Sequence, residues 1–295
     1  FVALTKVRAP QMGWRKTKDA GQRALIDRVN QPIRGPCSIA VLSQKGGVGK
    51  TTVTVGLGAT LVATRGDRVI AVDANPDFGT LAQRGPDETS STVRDVLLDE
   101  NILRYSDMRT HTSQTSSRLE ILASERDPAT SEAFSEEHYR GVLRVLQRFY
   151  DIILTDCGTG LVHSAMAGVL GQADSAVVVA SLAVDSARSA WATFRWLERH
   201  GYSHLIPGAT VVFCASRPGP LGLDINEMAS QFLPRVRGLH VIPFDDHLAE
   251  GAEVHLQLLS GPTRQAFLEL AATIVAGISA IGDPAPGDLD QPEPR

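Results

Sequence analysis

The sequence is poor in cysteine and aromatic residues, and it contains no long apolar run. Its 295 residues include three widely spaced cysteines that form no CxxC pair, which argues against a disulfide framework or a structural zinc site and favours a reducing compartment. No stretch approaches the ~20 apolar residues that cross a bilayer, so we expect no transmembrane segment. Residues 1–30 lack the apolar core of a signal peptide. With 43% hydrophobic and 21% charged residues, the composition is that of a soluble folded chain.

Lysine is also scarce, since the chain has 24 arginines and five lysines. Only Lys45 and Lys50 follow Lys18, and they lie five residues apart in one glycine-rich stretch. Because the chain uses arginine elsewhere, these two positions favour a compact ammonium group.

Charge is distributed unevenly along the chain. The formal net charge is −4, but residues 1–35 carry eight basic and two acidic residues, a charge of +6 that leaves −10 for the remainder. A basic arm on an acidic body favours an anionic partner for the arm: acidic lipid, an acidic protein or nucleic acid. A solvated leader without a partner has the same composition, so both interpretations stay open.

Short β-branched runs alternate with helical stretches from Cys37 onward. This alternation predicts an α/β fold with a mostly parallel central sheet covered by helices on both faces. We expect a basic arm at 1–36 that is partly disordered, one domain at 37–281, and a disordered, acidic, proline-rich tail at 282–295. A sheet of this kind binds ligands at the carboxyl ends of its strands.

The predicted elements have the following bounds. Strands are predicted at 38–43, 68–72, 119–122, 151–155, 176–180, 210–214 and 239–242. Helices are predicted at 22–29, 51–64, 92–99, 136–149 and 263–281.

A glycine-rich loop follows the first predicted strand and opens a helix. The loop is Lys45-Gly46-Gly47-Val48-Gly49-Lys50-Thr51-Thr52. Glycines let successive backbone N–H groups converge on phosphate oxygens, and the helix N-terminus adds its dipole. This pattern predicts a P-loop in which Lys50 reaches the β- and γ-phosphates and the Thr51 hydroxyl ligates Mg²⁺. A plain glycine turn would not require so many matching positions.

The lysine before the glycines gives this loop a resemblance to a known family. Gln44 stands where the general P-loop pattern has its first glycine, and Lys45 follows it. The loop resembles the deviant Walker A motif of the ParA/MinD ATPases, in which this lysine reaches across a dimer to the partner's nucleotide. The resemblance implies an ATP-dependent homodimer in which Lys45 bridges the subunits and stabilises transition-state charge.

The segment after the next strand resembles the first switch region of that family. It reads Asp73-Ala74-Asn75-Pro76-Asp77, where the family has two aspartates separated by one residue. Asp73 matches the first aspartate, but Asn75 replaces the second, which positions the attacking water. An amide can orient water but cannot take a proton, so slow hydrolysis is implied, with Asp77 as a substitute carboxylate. Apart from the resemblance, Asn75-Pro76 is also compatible with a simple turn.

Later strand ends resemble other parts of the family's nucleotide site. Residues 150–156 resemble a Walker B strand, and the implied Mg²⁺ ligands are Asp156, Thr51 and Asp73. Residues 214–217 resemble a loop that flanks adenine, where Arg217 matches but the usual asparagine is missing. The sequence Pro243-Phe244-Asp245 resembles the second loop on the adenine side.

Several longer stretches, most of which include these motifs, resemble the ParA/MinD-like ATPases associated with type VII (ESX) secretion in mycobacteria and related actinomycetes. They are SIAVLSQKGGVGKTTVTVGLGATL, VIAVDANPDFGTL, YDIILTDCGTGLVHSAM and EGAEVHLQLL. The resemblance implies a switch that serves secretion or its regulation through a secretion-system or other protein partner. We expect it in the cytoplasm, with the inner face of the membrane as a peripheral site. Because the chain begins at Phe1, we expect it to be part of a longer protein.

Two other functions remain open. A chromosome or plasmid partition ATPase would bind DNA, although residues 182–281 carry seven arginines against nine acidic residues, which predicts weak attraction. A module that senses ATP with little turnover is compatible with Asn75. The histidines suggest no further metal, since His247 and His255 are eight apart on a predicted helix and form no i, i+4 pair.

Overall fold

A single, mostly parallel sheet organises the parts of the chain that the structure describes. The computed structural model describes residues 14–75, 79–125, 135–160, 164–219 and 224–281. Eight strands pair in the order β3-β4-β2-β5-β1-β6-β7-β8. All neighbouring pairs are parallel except β3 with β4. The strands are β1 (Cys37–Leu42), β2 (Val69–Ala74), β3 (Ser113–Gln114), β4 (Glu120–Leu122), β5 (Ile152–Cys157), β6 (Ser175–Ser181), β7 (Thr210–Cys214) and β8 (Gly238–Ile242).

Helices cover both faces of this sheet. They are α1 (Trp14–Val29), α2 (Lys50–Arg65), α3 (Val93–Leu98), α4 (Tyr105–Arg109), α5 (Glu136–Leu146), α6 (Ser164–Gln172), α7 (Val184–Arg199), α8 (Ile225–Phe232), α9 (Asp246–Ala249) and α10 (Gly261–Ile281). None of the helices in the described ranges is long and apolar enough to span a membrane.

The core has two layers because consecutive side chains of a strand point to opposite faces. In β1, Ala40 and Leu42 join the layer under α5, α6 and α7, whereas Ile39 and Val41 join the layer under α2 and α10. Every residue of β1 is buried. Because β1 is buried on both faces, its sequence is an almost continuous apolar run. A sheet covered by helices on both faces confirms the predicted α/β fold class.

The N-terminal helix lies on the domain and does not project from it. It begins at Trp14, eight residues before the predicted start, and contacts α10 and α2. Val29 is fully buried, and the Arg65 guanidinium donates 2.8 Å to the carbonyl of Gln31. The Ser279 hydroxyl donates 3.0 Å to the carbonyl of Pro32. The predicted disorder of residues 1–13 and 282–295 lies outside the described residues.

The predictions missed two short elements. Neither α4, with five residues, nor β3, with two, is long enough to produce a periodic apolar pattern. Both form because β3 pairs antiparallel with β4 at the sheet edge and because Met108 of α4 is buried in the core.

A glycine on α2 permits close packing against α10. A Cβ at Gly56 would overlap the ring of Phe267, which is fully buried. We expect Gly56→Ala to lower the free energy of unfolding by about 1–3 kcal/mol, because overpacking outweighs the higher helix propensity of alanine. Urea unfolding measures this change. Gly21→Ala is the matched control, since it lies in α1 with open space around a Cβ, and equal losses in both variants would contradict the packing explanation.

Candidate nucleotide-binding site

The loop between β1 and α2 is held in shape by its own side chains and glycines. The Ser43 hydroxyl accepts the Lys45 N–H at 3.2 Å and donates 2.8 Å to the Lys45 carbonyl. Gly47 and Gly49 have φ angles of 71° and 94°, a left-handed conformation that favours glycine. The loop therefore leads directly into α2, which begins at Lys50. The first backbone N–H groups of α2 have no partner within the helix, so they are placed to bind an anion.

The two predicted Walker motifs meet at Asp156. The Lys50 ammonium donates to Asp156 Oδ1 at 2.5 Å, and the Thr51 hydroxyl donates to Oδ2 at 2.6 Å. The Asp156 side chain is 2% exposed and that of Lys50 is 11% exposed. Thr54, which the sequence analysis did not identify, donates 3.0 Å to the Lys50 carbonyl and lies 3.4 Å from Asp156 Oδ1. Its position one turn after Lys50 is the signal that could have identified it.

Asp73 lies directly opposite Asp156 on the neighbouring strand β2. It is buried and accepts the N–H groups of Asn75 at 3.0 Å and Leu81 at 3.1 Å. Burial and the adjacent Asp156 carboxylate raise the pKa of Asp73 to about 7, although these hydrogen bonds and Lys50 lower it. Two carboxylates and the Thr51 hydroxyl form an oxygen-rich donor set of the kind that Mg²⁺ prefers.

The raised pKa of Asp73 predicts how stability depends on pH without nucleotide. The folded state holds the proton more tightly than the unfolded chain does. This contribution is complete below the unfolded pKa near 4 and is lost as pH rises through about 7. Urea unfolding at about pH 5 and about pH 8 should therefore show wild type losing stability relative to Asp73→Asn, whose amide does not titrate. Parallel pH profiles for the two proteins would contradict this.

The described residues that follow the first switch segment pack tightly around Asp73. A Cβ at Gly79 would overlap both the Asp73 carboxylate and the Ser124 hydroxyl. Asn75 is half-buried, and its backbone takes part in holding Asp73. Asp77 lies outside the described residues, so its predicted part in hydrolysis stays a prediction, as does that of Asn75.

Lys45 points away from the Asp156 cluster. Its ammonium forms an ion pair with Asp185, in the first turn of α7, and this pairing lowers the pKa of Asp185. The two side chains are 44% and 68% exposed, and Val184 beside them is 55% exposed. The sequence analysis did not single out Asp185, because the pair joins residues 140 positions apart.

A cavity of about 150 Å³ lies beside the P-loop at the ends of β7 and β8. It is lined by P-loop residues 47–49 and by the predicted Pro243, Phe244 and Asp245, whereas Arg217 is exposed and does not line it. Asp245 accepts the N–H groups of His247 at 3.1 Å and Ser260 at 2.9 Å, so its carboxylate caps α9. A larger cavity of about 620 Å³, between α1, α2 and α10, contains none of the predicted site residues.

The two histidines are arranged differently from the prediction. Helix α9 ends at Ala249, so His255 does not share a helix with His247. The chain turns back instead, and the His255 N–H donates 2.9 Å to His247 Nε2. Within the described ranges, no group of three or more His, Cys, Asp or Glu side chains is arranged to hold a metal ion.

Comparison with known proteins gives relatives for most of this chain. The AAA domain family AAA_31 matches residues 37–198. The chain is 36% identical over 249 residues to the ESX-1 secretion-associated protein EspI of Mycobacterium tuberculosis, covering 84% of this chain and 37% of EspI. It is 26% identical over 258 residues to the sporulation initiation inhibitor protein Soj of Bacillus subtilis, covering 81% of this chain and 98% of Soj.

Solved structures show the same fold. The septum site-determining protein MinD of Pyrococcus horikoshii, complexed with Mg-ADP, superposes with a TM-score of 0.65 at 25% identity, covering 83% of this chain and 98% of MinD. A ParA family ATPase from Chlorobium tepidum superposes with a TM-score of 0.67 at 19% identity, covering 80% and 98% of the two chains. Because the family match spans more than half of the chain and the sheet is that of ParA and MinD, this chain belongs to the AAA domain family as a ParA/MinD-like P-loop protein.

Proposed function

We propose that this protein binds Mg-ATP, hydrolyses it slowly and works as an ATP-dependent homodimeric switch. The convergence of Lys50 and Thr51 on Asp156 carries this proposal, because it unites a phosphate-binding loop with a buried carboxylate. The loop amides and Lys50 would hold the phosphates. Thr51, Asp156 and Asp73 would hold Mg²⁺, which when bound neutralises phosphate charge.

The residues fit a divalent cation on electrostatic grounds. Asp73 and Asp156 face each other across two neighbouring strands, and their repulsion contributes to the raised pKa of Asp73. A bound cation relieves that repulsion and favours the ionised form of both groups. Asp73 then keeps its backbone hydrogen bonds from Asn75 and Leu81, which orient the carboxylate.

The exposed ion pair supports a role for Lys45 in the dimer. In the monomer its ammonium is paired with Asp185 at the carboxyl edge of the sheet. Because both side chains are exposed, water screens the pair and little free energy opposes its exchange. Lys45 would leave Asp185 and reach the partner's nucleotide, where its charge would stabilise the transition state.

Similarity to EspI supports a setting in type VII secretion or its regulation. EspI is an ESX-1 secretion-associated protein, and this chain spans 37% of its length. The switch would act in the cytoplasm or at the inner face of the membrane, and its nucleotide state would control a protein partner. The basic arm, residues 1–36, would supply a contact with acidic lipid, protein or nucleic acid.

Sedimentation with and without Mg-ATP tests the switch. We expect the mass to double only when Mg-ATP is present. We also expect phosphate to be released in those samples in which dimers form. A mass that does not respond to nucleotide would contradict the dimeric switch and leave a P-loop protein that acts as a monomer or a constitutive oligomer.

Asn75 favours a second candidate function, a sensor that binds ATP with little turnover. A carboxylate at this position could take a proton from the attacking water, and such base catalysis contributes about 10²–10⁴-fold. We therefore expect Asn75→Asp to hydrolyse ATP about 10-fold faster or more, measured as phosphate release. Asn75→Gln keeps the amide and serves as the control. Should Asn75→Asp turn over no faster than wild type, Asn75 does not limit the rate, and Asp77→Ala then tests whether Asp77 supplies the carboxylate.

A further inference from the structure

Another cavity lies at the edge of the sheet opposite the nucleotide site. Its volume is about 360 Å³, and its lining includes Pro36, Arg68, Arg148 and Asp151. Pro36, Arg68 and Asp151 stand immediately before β1, β2 and β5, which are neighbours in the sheet. Because a strand rises about 3.3 Å per residue, the six residues of β5 separate this cavity from the nucleotide site by about 20 Å. The proposed nucleotide chemistry does not use this cavity.

Two arginines of this cavity lie over aromatic rings. The Arg68 guanidinium is 3.9 Å from the centre of the Tyr105 ring. The Arg148 guanidinium is 5.0 Å from the centre of the Phe149 ring. The Tyr105 hydroxyl donates to the buried Glu120 carboxylate, and this hydrogen bond fixes the ring under Arg68. A guanidinium that already lies on a fixed ring loses little conformational entropy when it binds an anion.

The positive charge around this cavity is only partly balanced. The two guanidiniums are exposed, and neither has a carboxylate partner among the residues that the structure describes. Asp151 accepts the backbone N–H of Arg68 at 3.0 Å through one carboxylate oxygen. Five arginines and two aspartates lie in the stretches 29–36, 65–68 and 144–151, which together carry a charge of +3. We call these three stretches the amino-edge patch, and their charge favours an acidic partner.

The segment that follows α10 has the opposite charge. Residues 282–295 include three aspartates, one glutamate and one arginine, a charge of −3. The segment also contains four prolines. Because proline restricts the backbone, such a segment loses less conformational entropy on docking than an ordinary segment of the same length.

Helix α10 brings this segment to the amino-edge patch. The Ser279 hydroxyl donates 3.0 Å to the Pro32 carbonyl, so the last turn of α10 lies against the first stretch of the patch. Pro32 is four residues from Pro36, and four extended residues span at most about 14 Å. Residues 282–288 alone span up to about 25 Å when extended. The acidic residues of the segment can therefore reach the cavity.

We infer that the amino-edge patch is the docking surface for the acidic segment 282–295 of the same chain, whose carboxylates pair with Arg68 and Arg148. Each exposed ion pair is weak, but a short tether keeps the segment at a millimolar effective concentration, so a few weak pairs suffice. An acidic peptide from another protein must displace the segment before it binds the patch. The inference is independent of the proposed nucleotide function.

Protection of the segment from proteolysis tests the inference. The full chain is treated at low salt with an endoproteinase that cuts before aspartate, and cleavage before Asp288 is followed by mass spectrometry. We expect Arg68→Gln combined with Arg148→Gln to raise the cleavage rate by about 5-fold, because cleavage follows the undocked population. Arg195→Gln combined with Arg199→Gln is the matched control, since it removes two exposed arginines from α7. Equal rates in the two double variants would overturn the inference.

Carbodiimide cross-linking tests where the segment docks. Arg148→Lys keeps the charge and supplies an amine that carbodiimide joins to a neighbouring carboxylate. We expect mass spectrometry to find this amine joined to a carboxylate of residues 282–295, whereas Arg195→Lys gives no such product. A cross-link yield that does not change with protein concentration supports docking within one chain. A yield that rises with concentration identifies a second copy as the occupant and overturns the inference, as does the absence of the cross-link.

Discussion

Lys50→Ala is expected to abolish ATP hydrolysis and to destabilise the nucleotide-free protein. Asp156 is almost fully buried, and Lys50 supplies its charged partner at 2.5 Å. Removal of that ammonium leaves the buried Asp156 carboxylate without a charged partner. We expect this to lower the free energy of unfolding by about 3 kcal/mol, even though the Thr51 hydroxyl still donates a hydrogen bond to the carboxylate. The loss of hydrolysis follows separately, since the phosphates lose their buried cation. Thermal or urea unfolding and phosphate release measure the two effects.

The second lysine of the same loop provides a matched control. Lys45→Ala makes the same change in charge and size, but its ion pair with Asp185 is exposed, so we expect almost no change in stability. A double variant, Lys50→Ala with Asp156→Asn, should recover stability because no charge is stranded, while hydrolysis stays absent. If Lys50→Ala is as stable as Lys45→Ala, the ion pair with Asp156 does not stabilise the fold.

Lys45→Ala is expected to abolish the ATP-dependent dimer and to reduce turnover by about 100-fold or more. Cations supplied in trans to transferring phosphates contribute about 10³–10⁵-fold to phosphoryl transfer, and the geometry places this ammonium on the exposed edge beside Val184. ATP binding to the monomer should persist, because Lys50 and the loop backbone remain. Sedimentation with Mg-ATP, combined with phosphate release and ATP titration, separates these effects.

Asp185→Asn provides the control for the role of Lys45. It removes the intrachain partner but keeps the ammonium, so we expect the dimer to form at equal or lower protein concentration than in wild type. A Lys45→Ala protein that still dimerises with ATP would contradict the bridging role. In that case the Lys45–Asp185 pair would be a surface contact within one chain.

Local patterns in the sequence were sufficient for the sheet and the phosphate loop. The strand at 210–214 was predicted with the bounds that the structure has, and the helix after the P-loop was predicted within one residue at each end. The helix is long and bounded by Gly49 and Gly66, and the strand is a short apolar run rich in β-branched residues, so local periodicity and turn chemistry specify them. The short α4 and β3 were missed because their formation depends on contacts made elsewhere in the fold.

The arrangement of side chains around the loop could not be predicted in the same way. Asp245 lines the cavity on the predicted adenine side, and its carboxylate also caps α9 by accepting the His247 N–H, a contact that the sequence analysis did not predict; Arg217 is not among the residues that line the cavity. His255 was expected on a helix with His247 and instead faces it across a turn. Each outcome depends on where the chain folds back, which spacing along the sequence does not reveal.

By itself, the sequence determined the fold class, the phosphate loop and the family, because each depends on short patterns with strict steric or periodic requirements. Only the tertiary structure decided which charged groups lie together. Lys50 pairs with Asp156, and Lys45 pairs with Asp185. Asp73 lies opposite Asp156, and its pKa is raised there. These pairings join strands and helices that are distant in sequence. They depend on strand register and burial. A buried charge loses its hydration, and the neighbouring charges and hydrogen bonds that the fold places around it then determine its free energy.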